Sequence, residues 1–336
     1  MRRNLQAMTV WQRRLVFFLL FGGGLLALLA VTLLLITLSL NNPTRVGSVA
    51  LVPDVTVRQF AALPDDDAYP PTVAAAPDGT LYTGSFATGT VWQITAAGEV
   101  TEVPGTREAL GAVVGLAVES DGTLLVIDQL DTDPRTAGGQ LVRVADGAIS
   151  IIAEVGFIAP NDLALDAQGR IYVSDSGANV VWRFDPDGSN GSIWWVSPAQ
   201  GEVQPAVTGL AYDPTRDAIL ITDPELNDIY RVAVADGAAE VIYHHGDRAN
   251  PPGFDGVTVT PDGAIYVAAL AQNGIALVDD GRLDYVAGLF RGSSDVEYAA
   301  PNRLYVANFD QASIVIPVVH PQLPFALDVI EFQESS

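Results

Sequence analysis

The chain has 336 residues, 40 acids against 17 bases, a formal net charge of −23 and no cysteine; apart from three histidines, every base is an arginine. That composition excludes lysine Schiff-base chemistry, disulfides, thiolate metal sites and cysteine nucleophiles. It also argues against a nucleic-acid partner, because neutralising phosphates takes cations, and leaves solubility or the attraction of a metal cation as uses for the acidity.

Residues 1–14 are short and basic, with Arg2, Arg3, Arg13 and Arg14. Residues 15–40 follow as 26 uncharged, mostly apolar residues. A helix of that length spans a hydrocarbon core of about 30 Å. The length favours an uncleaved signal anchor; a cleaved leader is the other reading. Only Arg45 follows closely, so the positive-inside rule keeps the N-terminus cytoplasmic and the rest extracytoplasmic. Residues 41–54 read as a linker, broken at Asn41-Asn42-Pro43. The segment 55–63 alternates as a strand.

From residue 70 a unit recurs. Residues 159–187, APNDLALDAQGRIYVSDSGANVVWRFDPD, are its clearest copy: three short strands of β-formers separated by Gln168-Gly169 and Gly177-Ala178-Asn179. The second strand of each copy starts at Leu81, Leu124, Ile171, Ile219, Ile265 and Leu304, at spacings of 43, 47, 48, 46 and 39. Third strands begin at Val91, Leu141, Val181, Ile229, Ile275 and Ile314, and fourth strands follow in most units. Six units of four strands with a period in the forties predict an all-β, six-bladed β-propeller over 55–336. Two terminal strands compete to close the ring, 55–63 and 325–332. The reading takes the N-terminal one as the outer strand of the sixth blade and packs the C-terminal one outside it.

Antiparallel strands alternate in direction. The start of strand one and the ends of strands two and four therefore share one face. The strand-one starts, at the channel mouth, are Pro71, Val114, Asn161, Thr208, Asp255 and Ser294. Asn161 and Asp255 are good oxygen ligands two blades apart, with Thr208 between them, and oxygen donors suit a hard cation such as Ca²⁺. The alternative is two polar groups capping their own strands.

The segments PNDLALDAQGRIYVSDS around Asn161 and GFDGVTVTPDGAIYVA around Asp255 resemble motifs of the senescence-marker-protein/gluconolactonase family. Residues 252–270 also resemble strictosidine-synthase-like propellers, and the whole unit is similar to NHL repeats. The resemblance covers about residues 70–318. In the gluconolactonase-like family a Glu, an Asn and an Asp from strand-one starts hold a central divalent cation, and the Asp is implicated in lactone hydrolysis. Asn161 and Asp255 match the latter two. The Glu position falls on Pro71, which offers no ligand; Asp295 or waters would have to substitute. The family's Asn-Asp-Gly substrate segment is replaced by LDTDPRTAGG.

Further residues are weighed on the same face. Asp128, Asp175, Asp223 and Asn308 end strand two in four blades. Asp175 is the best placed of them to orient Asn161 from behind, while recurrence points to turn capping. His244 and His245 end strand four of blade 4, where a histidine serves as a general base near neutrality or sits in an exposed loop. Unit 2 inserts extra residues within 129–140, a surface loop on this face suited to ligand selection or only a spacer. Two functions follow. One is a metal-dependent lactone or ester hydrolase, with Asp255, His244 or His245 activating water. The other is a non-catalytic propeller binding a protein or glycan on its loops.

Overall fold

The computed structural model describes residues 9–40, 47–133, 136–199, 201–316 and 319–333. Arg2, Arg3, Arg45, the break at Asn41-Asn42-Pro43 and Pro134-Arg135 of the inserted loop lie outside them. Val10–Leu40 form one helix. Among the described residues no helix is long and apolar enough to cross a membrane.

Residues beyond the linker form six antiparallel sheets, each a blade of at least four strands. The innermost strands are Val73–Ala75, Val113–Val118, Pro160–Leu165, Leu210–Asp213, Phe254–Val259 and Ser293–Ala299. Each neighbours the next, and the sixth neighbours the first, so the ring closes. The core is divided accordingly. One buried apolar cluster fills each gap between blades: Val126 and Leu116 between the first and second, Tyr172 and Ile219 between the third and fourth, Trp92 and Tyr305 at the seam between the sixth and first. Each four-stranded blade has two apolar faces, and radial stacking covers both with the neighbouring blades.

The sixth blade departs from the expected order. Its sequence from the channel outward is Ser293–Ala299, Arg303–Asn308, Ala326–Phe332 and Val55–Ala62. The N-terminal strand is outermost, as expected. The C-terminal strand lies inside it, as the third strand, and not outside. The third strand expected at Ile314 is absent; Gln311–Val315 is a short helix. Pro317, Pro321 and Pro324 interrupt this apolar stretch, and proline cannot donate to a ladder. Before the ring begins, Val49–Ala50 add a fifth strand to blade 5, with Val49 opposite Gly288. Trp194 and Trp195 are neighbours on the fourth strand of blade 3, Ser192–Val196. A register shift in their strand pair lets both adjoin the cluster between blades 3 and 4.

Two faces follow from this topology. Strand one begins on the entry face. The turns joining strands one to two lie on the opposite, turn face.

Candidate functional site

Each innermost strand pairs on one side only, with strand two. Its other edge carries unpaired N–H and C=O groups toward the channel. Two acids satisfy part of this edge. Asp162 accepts from Leu210 N–H of the next blade at 2.8 Å and from Leu163 N–H at 2.8 Å. Asp295, at the equivalent position three blades on, accepts from Val73 N–H at 2.9 Å, the Thr72 hydroxyl at 3.1 Å and Val296 N–H at 2.8 Å.

The ring of strand-one starts lies one residue before these acids. Thr208 reaches the Thr222 hydroxyl at 3.1 Å and the Phe254 carbonyl at 3.5 Å. The Ser294 hydroxyl is buried without a partner. Pro71 and Val114 offer nothing polar. Asn161 and Asp255 are partly accessible, and their side chains make no hydrogen bond to the described residues. Their backbones are set by close packing on the preceding blade. A Cβ on Gly115 would sit 2.8 Å from the Asn161 carbonyl oxygen, and one on Gly209 only 2.1 Å from that of Asp255. Glycine at these two positions lets the strand-one starts approach.

Four carboxylates thus share one channel, and among the described residues no arginine pairs with any of them. Burial, then the charge of Asp295, hold Asp255 well above the usual carboxylate range. Burial and Asp295 do the same to Asp162, with a smaller push from Asp255. Burial lifts Asp295 to about 6. Glu297 is pushed up to about 8 by burial and by Asp295, although the Thr258 hydroxyl donates to it at 3.1 Å. A cavity of about 230 Å³ lies on the axis, walled by all six inner strands, with Asp162, Asp295 and Glu297 in its lining. It occupies the half of the channel toward the turn face, beyond Asn161 and Asp255. Among the described residues no three His, Asp or Glu come together as metal ligands.

Asp175 accepts N–H bonds from Ile158, Ala159 and Ala178. Asp128 does the same for Gly111, Ala112 and Leu130, and Asp223 for Ala206, Glu225 and Leu226. Asn308 accepts from Arg291 N–H. Each ties the lead-in of its own strand one to the end of strand two. The two histidines differ. His245 is buried, with Nδ1 2.9 Å from the Tyr243 hydroxyl and Nε2 3.0 Å from the Arg248 carbonyl. His244 is exposed, and its Nδ1 lies 2.7 Å from Oδ1 of the buried Asp228. Tyr230 donates to the other Asp228 oxygen at 3.1 Å. His244 stands on the outermost strand of blade 4 and Asp255 on the innermost of blade 5. Three strand spacings of about 4.8 Å separate such strands, so ten residues in sequence are not adjacency in space.

Asp162, Glu297 and Asp228 were missed by the sequence reading. The first two were within reach of strand parity, since Asp162 holds in blade 3 the position of Asp295 in blade 6, and Glu297, two residues past Asp295, shares its face. Asp228 is legible only once its pairing with His244 across strands three and four is known.

No protein-family model matches the sequence, nor does any curated protein. Solved structures do. A gluconolactonase from Xanthomonas campestris matches with TM-score 0.61 and 18% identity over 85% of this chain and 94% of its own. A virginiamycin B lyase from Staphylococcus aureus matches with TM-score 0.54 and 16% identity over 76% and 82%. The PQQ-bound aldose sugar dehydrogenase from Streptomyces coelicolor matches with TM-score 0.58 and 16% identity over 82% and 98%. At these identities the likeness establishes a shared propeller fold, one that carries hydrolytic, lyase and redox chemistry alike.

Proposed function

We propose that this chain is a membrane-anchored, extracytoplasmic hydrolase of a lactone or ester, acting at the entry ring with a hard divalent cation, Ca²⁺, on Asn161 and Asp255. One observation carries the reading. These are the two ring residues with accessible oxygens that the described fold leaves unengaged, while the neighbouring acids Asp162 and Asp295 are committed to backbone N–H groups. The likeness to a gluconolactonase supports the choice of chemistry.

The donor set fits a hard cation: oxygen only, one carboxylate, one amide, and three further acids in the channel to hold positive charge nearby. With Pro71 at the third position, water must complete the shell. A cation bound there supplies polarisation of the substrate carbonyl. The chain's residues do the rest. Asp255, its affinity for protons raised by burial and Asp295, takes the proton of the attacking water. The water oxygen bonds to the carbonyl carbon, the acyl–oxygen bond breaks, and the proton passes to the leaving alkoxide. The Asn161 amide orients the carbonyl. His244, held through Nδ1 by Asp228, stands on the outermost strand and takes no proton in this step. His245 has both nitrogens engaged.

Hydrolysis of a panel of small lactones and aryl esters, with Ca²⁺ and with chelator, tests this. Asp255→Asn should lower turnover by about 10² or more while the fold persists. Pro71 favours a second reading, a non-catalytic NHL-like propeller that binds a protein or glycan on its loop face. Absence of both Ca²⁺ binding and turnover would leave that reading in place.

A further inference from the structure

On the turn face, between blades 5 and 6, a cavity of about 260 Å³ is lined by three rings, Tyr266, Tyr298 and Phe332, with Thr260, Asp262 and Asn302 at its rim. The rings come from three strands. Tyr266 stands on strand two of blade 5, Tyr298 on strand one of blade 6 and Phe332 at the end of strand three of blade 6. All three are partly accessible. The centroids of Tyr266 and Phe332 lie 5.5 Å apart at 48°, tilted and not stacked.

A second cavity of about 260 Å³ lies between blades 1 and 2. It has the acids Asp121 and Asp146 but a single ring, Tyr82, with the aliphatic Val103 and Val144. The two cavities share volume and acidity; the trio of rings belongs to one.

Charge sets this gap apart as well. In blades 2, 3 and 4 the acid that closes strand one is matched by the chain's own arginine: Glu119 with Arg143 at 3.1 Å, Asp166 with Arg170 at 2.6 Å, Asp213 with Arg231 at 3.5 Å. Blade 5 carries Thr260 at the position of those acids, and Leu277 at that of Arg143 and Arg231. Its acid stands in the turn instead. The Thr260 hydroxyl donates to Asp262 and holds that carboxyl below the usual range. Among the described residues no arginine pairs with Asp262. Its charge reaches the rings: burial, then Asp262, raise the Tyr266 phenol above its ordinary value.

We infer that this cavity binds the trimethylammonium head of a small organic cation, a choline-type solute. Aromatic faces attract a cation through their quadrupoles, and a carboxylate at the rim adds charge without filling the space between the rings. A hard metal ion needs several oxygen ligands, which three rings do not supply. An uncharged apolar solute gains nothing from Asp262, and the phosphate of a phosphocholine headgroup would be repelled by it. A water occupies about 30 Å³ of the liquid, so the cavity has room for a trimethylammonium group and a short tail. The site lies on the face opposite Asn161 and Asp255 and is independent of hydrolysis there.

Calorimetric titration of the full chain with choline tests this. Two comparison ligands are its uncharged carbon isostere, with a tert-butyl group in place of trimethylammonium, and glycerophosphocholine. Choline should bind saturably at one site, the isostere about tenfold more weakly or worse, and glycerophosphocholine more weakly than choline. Tyr266→Leu should weaken choline binding by about tenfold, whereas Tyr266→Phe, which keeps the ring, should change it by about threefold or less. Asp262→Asn, at an exposed turn, should weaken choline and leave the isostere unchanged. Asp121→Asn, in the gap between blades 1 and 2, should alter neither. Tighter binding of glycerophosphocholine than of choline would keep the ammonium site and make a lipid headgroup its source. No saturable choline binding by the parent, or equal affinity for the isostere, would overturn the inference. So would unchanged choline affinity in both Asp262→Asn and a Tyr266→Leu variant that melts like the parent. Lactone turnover is not part of the readout, so failure of the hydrolase reading leaves the result interpretable.

Discussion

Asp175 and Asp255 are the same residue type in opposite circumstances. Asp175 accepts three backbone N–H bonds and holds the lead-in of its blade. Removing it leaves buried donors unsatisfied, so Asp175→Ala should cost about 3 kcal/mol in denaturant unfolding and leave any Ca²⁺ response intact. Asp255 accepts none, and burial and Asp295 work against its charge. Asp255→Ala should therefore cost little stability without metal, and should remove most of the rise in melting temperature that Ca²⁺ gives the parent protein by binding the native state. A parent melting curve unmoved by Ca²⁺ or chelator counts against the cation site. The positions of Asn161 and Asp255 were legible because strand direction alone fixes which end of strand one faces the entry mouth. Which of their oxygens stay free was not. That depends on neighbours from another blade, such as the Leu210 N–H that engages Asp162 and no local pattern announces.

Strands show the same division. Second strands were legible because each starts just after a turn, Asp78-Gly79, Gln168-Gly169 and Asp262-Gly263 among them, and continues as a short run of β-formers. The sixth blade was misread in part because β-branched residues around Ile314 mimic a strand while three prolines forbid one, and because a closing strand can take either place in the sheet without changing its pattern. Close packing between strands is a further element-scale constraint. Gly209→Ala would drive a Cβ into the Asp255 carbonyl. It should destabilise the ring by about 1–3 kcal/mol and weaken the Ca²⁺ response more than a distant substitution of equal cost, as read from melting curves at several Ca²⁺ concentrations. The inserted loop within 129–140 joins strand two of blade 2 to the strand that begins at Gln140. Shortening it to the length of its counterparts should leave the melting temperature within a degree or two and change affinity for any ligand on the entry face. An unchanged affinity would make it a spacer.

At the scale of the whole ring, the channel concentrates charge of one sign. Glu297 sits at the seam, receiving the Thr258 hydroxyl from blade 5, while its neighbour Asp295 ties blade 6 to Val73 of blade 1. Glu297 is lifted from 4.5 to about 8 and Asp295 from 3.8 to about 6. The folded ring therefore keeps protons that the unfolded chain releases. For acids raised in this way stabilisation is complete below the ordinary carboxylate range and is lost as pH climbs through the folded values. Stability should accordingly fall between about pH 4.5 and 8, the reverse of the usual effect of salt-bridged carboxylates. Glu297→Gln keeps the hydrogen-bonding shape and removes the titration, so it should flatten the upper part of this fall, from about pH 6 to 8, and leave the rest to Asp295 and the other raised acids, Asp162 and Asp255. Chemical denaturation at half-unit pH intervals reads both slopes. If the variant falls as steeply as the parent over that upper range, the strain of deprotonation lies elsewhere in the molecule. If Ca²⁺ at saturating concentration flattens the parent curve but not that of Asp255→Ala, the cation and the channel acids are one electrostatic unit: positive charge at the entry ring then offsets the repulsion that rising pH creates along the axis.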